Sequence, residues 1–374
     1  MVLAFANKTS FDHGVDYLAS VWFKQSIDAD EIIKRYKRAL SNSNRSADPI
    51  KILIVPGHDE DSPGAIYKNS SGQIVREADQ NLIVGRELFN LLDKEKGIEV
   101  FLVRDENGYN PEFSKYLTEK REEIALFYET KRVEMAKLVV NGSVESYQNV
   151  HHNSARPEVV QTLYSINKFA NDEKFDIVIH LHFNDYPGRR GLSGKYSGFA
   201  IYAPEKQFSN SKASKIFAGK LADQLSYLFA SSDQPKESAV VEDQELIAVG
   251  ANNTADPVSV LIEYGYIYES QFNYPVIKDT ILKELAHQTY LGIGGFLNEE
   301  NVRRETAFDF KKYLTDRNFS KSELRQGHKS LDVLAWQYYL RDLGVYPVNG
   351  DLNSCPISGN FGDCTAKALA KYGK

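Results

Sequence analysis

The sequence predicts an α/β fold, a mixed and mostly parallel sheet flanked by helices, with a small helical domain at the C-terminus. Three short apolar, β-branched runs carry that expectation: Lys51 to Val55 (KILIV), Phe175 to His182 (FDIVIHLH) and Val258 to Ile262 (VSVLI). Each has the length and composition of a strand buried on both faces. Each also delivers polar residues at its end, in Val55-Pro56-Gly57-His58, His180-Leu181-His182-Phe183-Asn184 and Glu263-Tyr264-Gly265. In open α/β sheets the residues just past the carboxyl ends of the strands converge in a crevice, so these groups can share one site.

The elements follow in chain order. Residues 1–49 read as an appended segment, with helical periodicity over Val15 to Phe23 and Ala29 to Leu40 and a polar, turn-rich linker, SNSNRSADP. The run VLAFA is too short for a signal-peptide core, so either a leader was removed or the sequence never carried one. After the first strand and His58 comes a loop, Asp59 to Arg76, rich in Ser, Gly and Asn. The helix EADQNLIVGRELFNLLDKEKG follows, with Leu82, Leu88, Leu91 and Leu92 at helical spacing and a stop at Gly97. Glu77 falls in its first turn, where a carboxylate is favoured by the helix dipole whether or not it does chemistry. A second, longer helix opens at Asn110-Pro111, a good cap and first position, and runs to Asn141-Gly142. At about 1.5 Å per residue it would extend roughly 45 Å.

Four motifs in this order carry a resemblance. VPGHDEDSPGA, EADQNLIVGREL, HLHFN and VLIEYG resemble the zinc-dependent N-acetylmuramoyl-L-alanine amidases of the type 3 family, over about residues 50–300. The resemblance implies a catalytic domain of mixed sheet and helices, related in architecture to zinc carboxypeptidases. It implies one zinc ion per chain on His58, Glu77 and His182, and Glu263 as the catalytic glutamate. Two neutral imidazoles and one carboxylate leave a fourth position open, the layout of hydrolytic zinc, where the pKa of water comes down to about 7. General acid and base work by Glu263 would then contribute roughly 10² to 10⁴ in rate.

The chain also departs from the family pattern. Val55 stands where the family has Asp, Asp59 where it has Gly, Tyr266 where it has Phe and His180 where it has Ser. The missing Asp leaves open what orients the first histidine; Asp59, Asp61 or a backbone carbonyl are the alternatives. Side chains alternate along a strand, so His180 and His182 point to one face and periodicity does not choose between them. Asn184 matches the family's trailing Asn and puts His182 in register as the ligand. His180, Asn184 and Asp59 would then support a ligand from behind or touch substrate. Arg104, Arg121 and Ala125 also match family positions, but HLHFN arrives late. Residues 126–173 therefore read as an insertion that borders or covers the cleft, with the alternative of a hairpin packed elsewhere that carries His151 and His152 in a solvated loop.

From about Lys321 the chain resembles the small three-helix peptidoglycan-binding domain, with Val333, Leu334, Trp336, Gln337, Leu340, Gly359, Phe361, Gly362 and Thr365 in its pattern and the final Phe-Gln missing. This places a wall-binding domain at residues 315–374. Cys355 and Cys364 close a small disulfide loop there or stay as free thiols, and the pair alone is a poor structural zinc site.

Composition narrows the partners. A net charge of −6 with no basic cluster argues against nucleic acid. No stretch of roughly 18 apolar residues is available to span a membrane. The expectation is a monomeric wall hydrolase, secreted, periplasmic or wall-associated, acting on peptidoglycan with any activating protein unidentified. A zinc carboxypeptidase acting on the stem peptide and a non-catalytic wall binder are the alternatives. The first of these ordinarily sets its first His and Glu three residues apart, whereas His58 and Glu77 are 19 apart.

Overall fold

A computed structural model describes residues 23–373 except 42–47, 144–155, 187, 188, 190, 192, 236 and 318–323. The helical reading of Val15 to Phe23 and the loop position of His151 and His152 lie outside the described residues, apart from Phe23 itself. The strands are β1 (Ile50–Pro56), β2 (Ile66–Lys68), β3 (Ile74–Arg76), β4 (Ile98–Leu102), β5 (Arg104–Asp105), β6 (Gly108–Tyr109), β7 (Ile177–Asn184), β8 (Ala200–Pro204), β9 (Val240–Asp243) and β10 (Val258–Tyr266). The helices are α1 (Ala29–Ser41), α2 (Glu77–Leu92), α3 (Pro111–Glu119), α4 (Arg121–Val140), α5 (Pro157–Asp172), α6 (Ser211–Leu225), α7 (Ser270–Asn273), α8 (Pro275–Asn298), α9 (Phe310–Asp316), α10 (Leu331–Asp342) and α11 (Asp363–Tyr372).

Six strands form one sheet in the order β4-β1-β7-β10-β8-β9. The first four run parallel, β8 pairs antiparallel to β10, and β9 pairs parallel to β8. This is the mixed, mostly parallel sheet that the apolar runs predict. Alternation divides its side chains between two helical layers. Ile52, Ile54, Ile179, Leu181, Val260 and Ile262 face α2, α6 and α8 and pack on Val84, Leu88, Phe217 and Leu285. Leu53, Val55 and Val178 face the other way, onto Phe113, Tyr116, Ile166 and Phe169 of α3 and α5. Sheet faces covered on both sides explain why these strands read as continuous apolar runs.

The long helix expected from Asn110 to Asn141 is two helices. Asn110 caps the first as expected, accepting from Glu112 N at 2.9 Å, but Lys120 leaves helical geometry at φ −102°, ψ 14°. The break lets each half follow a different part of α5: Phe113 and Tyr116 pack on Phe169, while Tyr128 of α4 packs edge-on against Tyr164 at 4.7 Å. A single straight rod could not keep both contacts.

The C-terminal helices share a core with the catalytic sheet's helical layer, through Phe310, Leu334, Tyr338 and Leu340. Gln337 organises the segment, donating to Asn360 O and Thr365 Oγ1 and accepting from Ser358 N and Gly359 N. Cys355 and Cys364 are disulfide-bonded. Arg341 Nε donates to Tyr227 O across the junction at 2.8 Å. The connecting segment of residues 303–308 is held by buried polar side chains: Gln224 bonds Arg303, Gln288 bonds Glu305 O, and Glu284 Oε2 accepts from Ala307 N and Phe308 N.

Glu284 gives this junction a pH dependence. Burial lifts its carboxyl to about 7, against the lowering effect of its hydrogen bonds from Gln288, Ala307 and Phe308. A folded pKa above the unfolded value means the native state binds more protons in between. The associated stability is therefore complete below about pH 4.5 and is lost as pH rises through about 7. Unfolding free energies of wild type and Glu284→Gln should diverge by about 3 kcal/mol between pH 5 and 8, wild type losing ground as pH rises. A pH-independent difference would contradict this.

Candidate metal centre

The Gly57-His58 corner is built by close approach. A side chain at Gly57 would collide with the His182 ring, and one at Gly64 with Glu77 Oε2 and the His58 ring. Gly64 also has φ +70°, where glycine is favoured. His58 itself has φ +64°, an uncommon conformation for a non-glycine residue that a well-determined surround must hold in place. Buried Arg104 does much of that holding, donating to Pro56 O at 3.0 Å, Gly57 O at 3.1 Å and Ala78 O at 2.9 Å. Asn81 adds a bond to Gly57 O at 2.9 Å. The same two residues thereby fix the corner to the first turn of α2.

Glu77 opens α2 and is 4% exposed. Its Oε2 accepts from Ala65 N at 2.8 Å, and its Oε1 lies 3.2 Å from His58 Nε2 and 2.9 Å from His182 Nδ1. One donor atom from each of the three lies within 4.8 Å of the others, the one such group of His, Cys, Asp and Glu among the described residues. Burial alone would raise the Glu77 pKa, but the hydrogen bonds and charges of His182 and His58 hold it far below the usual carboxylate range. Burial pulls His58 down, and Glu77 with a backbone hydrogen bond to Ser62 pulls it up further. For His182, burial prevails and its pKa is lowered.

The orienting partner of His58 is thus a backbone group of the alternatives the sequence leaves open. Asp59 is engaged elsewhere, accepting from Ser62 N at 2.8 Å and from Tyr109 OH at 3.1 Å. Glu263, on β10, is in register with His182 on β7 and is 8% exposed. Its Oε2 has no hydrogen-bond partner among the described residues. Burial, then the charges of Glu77 and Glu237, push its pKa well up. Asn184 is half-buried in the cleft lining, and its Oδ1 accepts from Asp185 N at 2.8 Å. His180 lies one repeat below His182 on the same face, in register with Val55 and Leu261 and apart from the three-residue group.

His58, Asp59, Ser62, Glu77, Tyr109, His180, His182, Asn184 and Glu263 line one cleft of about 670 Å³, together with α5 and the segment Glu245 to Ala248. The second helix of the expected insertion, α5, therefore walls the cleft through Val159, Thr162, Leu163 and Ile166. Arg156, at its start, donates to Asp61 O and Ser62 Oγ and ties that wall to the loop after His58. Arg104, matched by position but without a role in the sequence reading, and Arg156, which it missed, complete the surround. Neither has a local signal beyond being a charged residue.

No protein of curated description matches the chain. Among solved structures, the CwlD amidase of Clostridioides difficile in complex with the GerS lipoprotein is 17% identical, with a TM-score of 0.42, covering 67% of this chain and 100% of that one. Ami1 of Mycobacterium smegmatis is 14% identical, with a TM-score of 0.42, covering 67% and 98%. The catalytic domain of CwlV from Bacillus (Paenibacillus) polymyxa var. colistinus is 15% identical, with a TM-score of 0.40, covering 67% and 99%. The family model described as N-acetylmuramoyl-L-alanine amidase matches residues 52–295, which takes in every residue of the cleft named above. The chain belongs to the N-acetylmuramoyl-L-alanine amidase family.

Proposed function

We propose that this chain is a zinc hydrolase that cuts the amide between N-acetylmuramic acid and L-alanine in peptidoglycan, and so works at the cell wall, outside the cytoplasmic membrane. The observation that carries the reading is the close approach of His58, Glu77 and His182 donor atoms at the carboxyl ends of β1 and β7 and the start of α2. Their separations of 3.2 and 2.9 Å are near the roughly 3.3 Å edge of a tetrahedron with bonds of about 2.0–2.1 Å. Two imidazoles and a carboxylate form the donor set of hydrolytic rather than structural zinc. Bound zinc supplies a Lewis acid that polarises the scissile carbonyl and lowers the pKa of the attacking water.

The chain's own groups do the rest. The His58 ring is oriented by its backbone hydrogen bond with Ser62, and the His182 ring by the Gly57 backbone packed against it. Glu263 aims an unpaired carboxylate oxygen from the neighbouring strand, and its raised proton affinity suits a group that takes a proton from water and delivers it to the leaving nitrogen. The α5 wall limits water and orients a long substrate along the cleft. By the same reading, residues 315–374 form a wall-binding unit fixed rigidly against the catalytic domain, consistent with their shared core.

The test is digestion of purified peptidoglycan by the zinc-loaded chain, with identification of the new ends. New L-alanine amino termini, lost on chelation and restored by zinc, are expected. Released D-alanine would indicate a carboxypeptidase, and no new ends a binding protein.

A further inference from the structure

Below the row of His58, His182 and Glu263 the cleft continues along the sheet to a second row of Val55, His180 and Leu261, in register on β1, β7 and β10. Two residues at about 3.3 Å rise set this row roughly 6–7 Å deeper. Around it Ile166 of α5 clusters with Val55, and Leu163 and Ala248 cluster with Leu261, so these neighbours are apolar. Within that setting His180 is 1% exposed, and neither ring nitrogen has a hydrogen-bond partner among the described residues. Its ring carries two nitrogens, each a hydrogen-bonding position. Buried polar groups are paired in native proteins, and an imidazole left with neither nitrogen paired calls for a partner.

The partner must bring an acceptor and a donor close together on a body small and apolar enough for the space among Val55, Leu163 and Leu261. A methyl-bearing secondary amide has that composition: one N–H, one C=O and one CH₃. We propose that the deep end of the cleft is a subsite for such a group of the substrate and that His180 recognises it, an inference that rests on the amidase reading above. Peptidoglycan presents this chemistry on both sides of the bond to be cut, in the 2-acetamido group of the sugar and in the L-alanine unit with its flanking amides.

The experiment uses the full zinc-loaded chain and three soluble muropeptides: the parent, one with a free amine in place of the acetamido group, and one with glycine in place of L-alanine. Wild type should prefer the parent by about 10- to 100-fold in kcat/KM over the analogue that lacks the recognised group. In His180→Phe, which fills the volume without hydrogen bonding, that ratio should fall to about threefold or less, chiefly through KM. His180→Gln should recover part of it, and supplies the test on its own if the Phe variant does not fold. The ratio that collapses identifies which of the two groups enters. Preferences that survive in both variants would overturn the proposal, as would zinc loss in the His180 variants alongside retention in His182→Ala, since His180 would then be a ligand. Failure of wild type to cut any of the three would instead overturn the amidase reading on which the inference rests.

Discussion

His58→Ala and His182→Ala should each reduce bound zinc from one per chain to near zero and abolish hydrolysis of peptidoglycan. Both imidazoles face the same Glu77 oxygen, so removing either leaves two donors, too few for a tight site. The buried Glu77 carboxylate would also lose one of the two hydrogen bonds that hold its pKa down, so the defect includes stability. A thermal-shift titration with zinc should show the wild type gaining stability with metal and neither variant doing so. His180→Ala is the control: its donor atoms stand outside the three-residue group, and its zinc content should match wild type.

Glu263→Gln should separate metal binding from chemistry. Its carboxylate belongs to the neighbouring strand and shares no hydrogen bond with the histidines among the described residues, so zinc content should be unchanged. The amide cannot take up and return a proton, and kcat should fall by about 10²- to 10⁴-fold with little change in KM. Because the swap also removes a buried carboxyl whose proton affinity is raised by burial, the variant should be at least as stable as wild type at neutral pH. Equal loss of zinc and activity in Glu263→Gln would place Glu263 among the ligands instead.

The central strands were legible because both faces are covered, so no polar alternation interrupts KILIV or VSVLI. Their ends were legible because His58, His182 and Glu263 interrupt apolar runs where strands should stop. Alternation could not separate His180 from His182, since both point to the face lined by Val55 and Glu263. What places His182 beside Glu77 is the close passage of the Gly57 backbone over its ring, a contact between segments more than a hundred residues apart. The break at Lys120 has no glycine or proline to announce it and follows from where α5 presents Phe169 and Tyr164. The antiparallel turn of the sheet at β8 and β9 is not legible, because both strands are only four or five residues long. The tie between Glu284 and residues 307–308 was equally hidden, because a glutamate within a helical pattern reads as surface until its partner backbone is known.

The central claim is that His58, Glu77 and His182 form the metal centre, and anomalous X-ray scattering at the zinc edge from crystals of the zinc-loaded chain tests it most directly. One peak per chain is predicted, about 2.0–2.2 Å from a nitrogen of His58, a nitrogen of His182 and an oxygen of Glu77. A peak bonded to His180 in place of His182, or no peak in the cleft of protein that still cuts peptidoglycan, would contradict it.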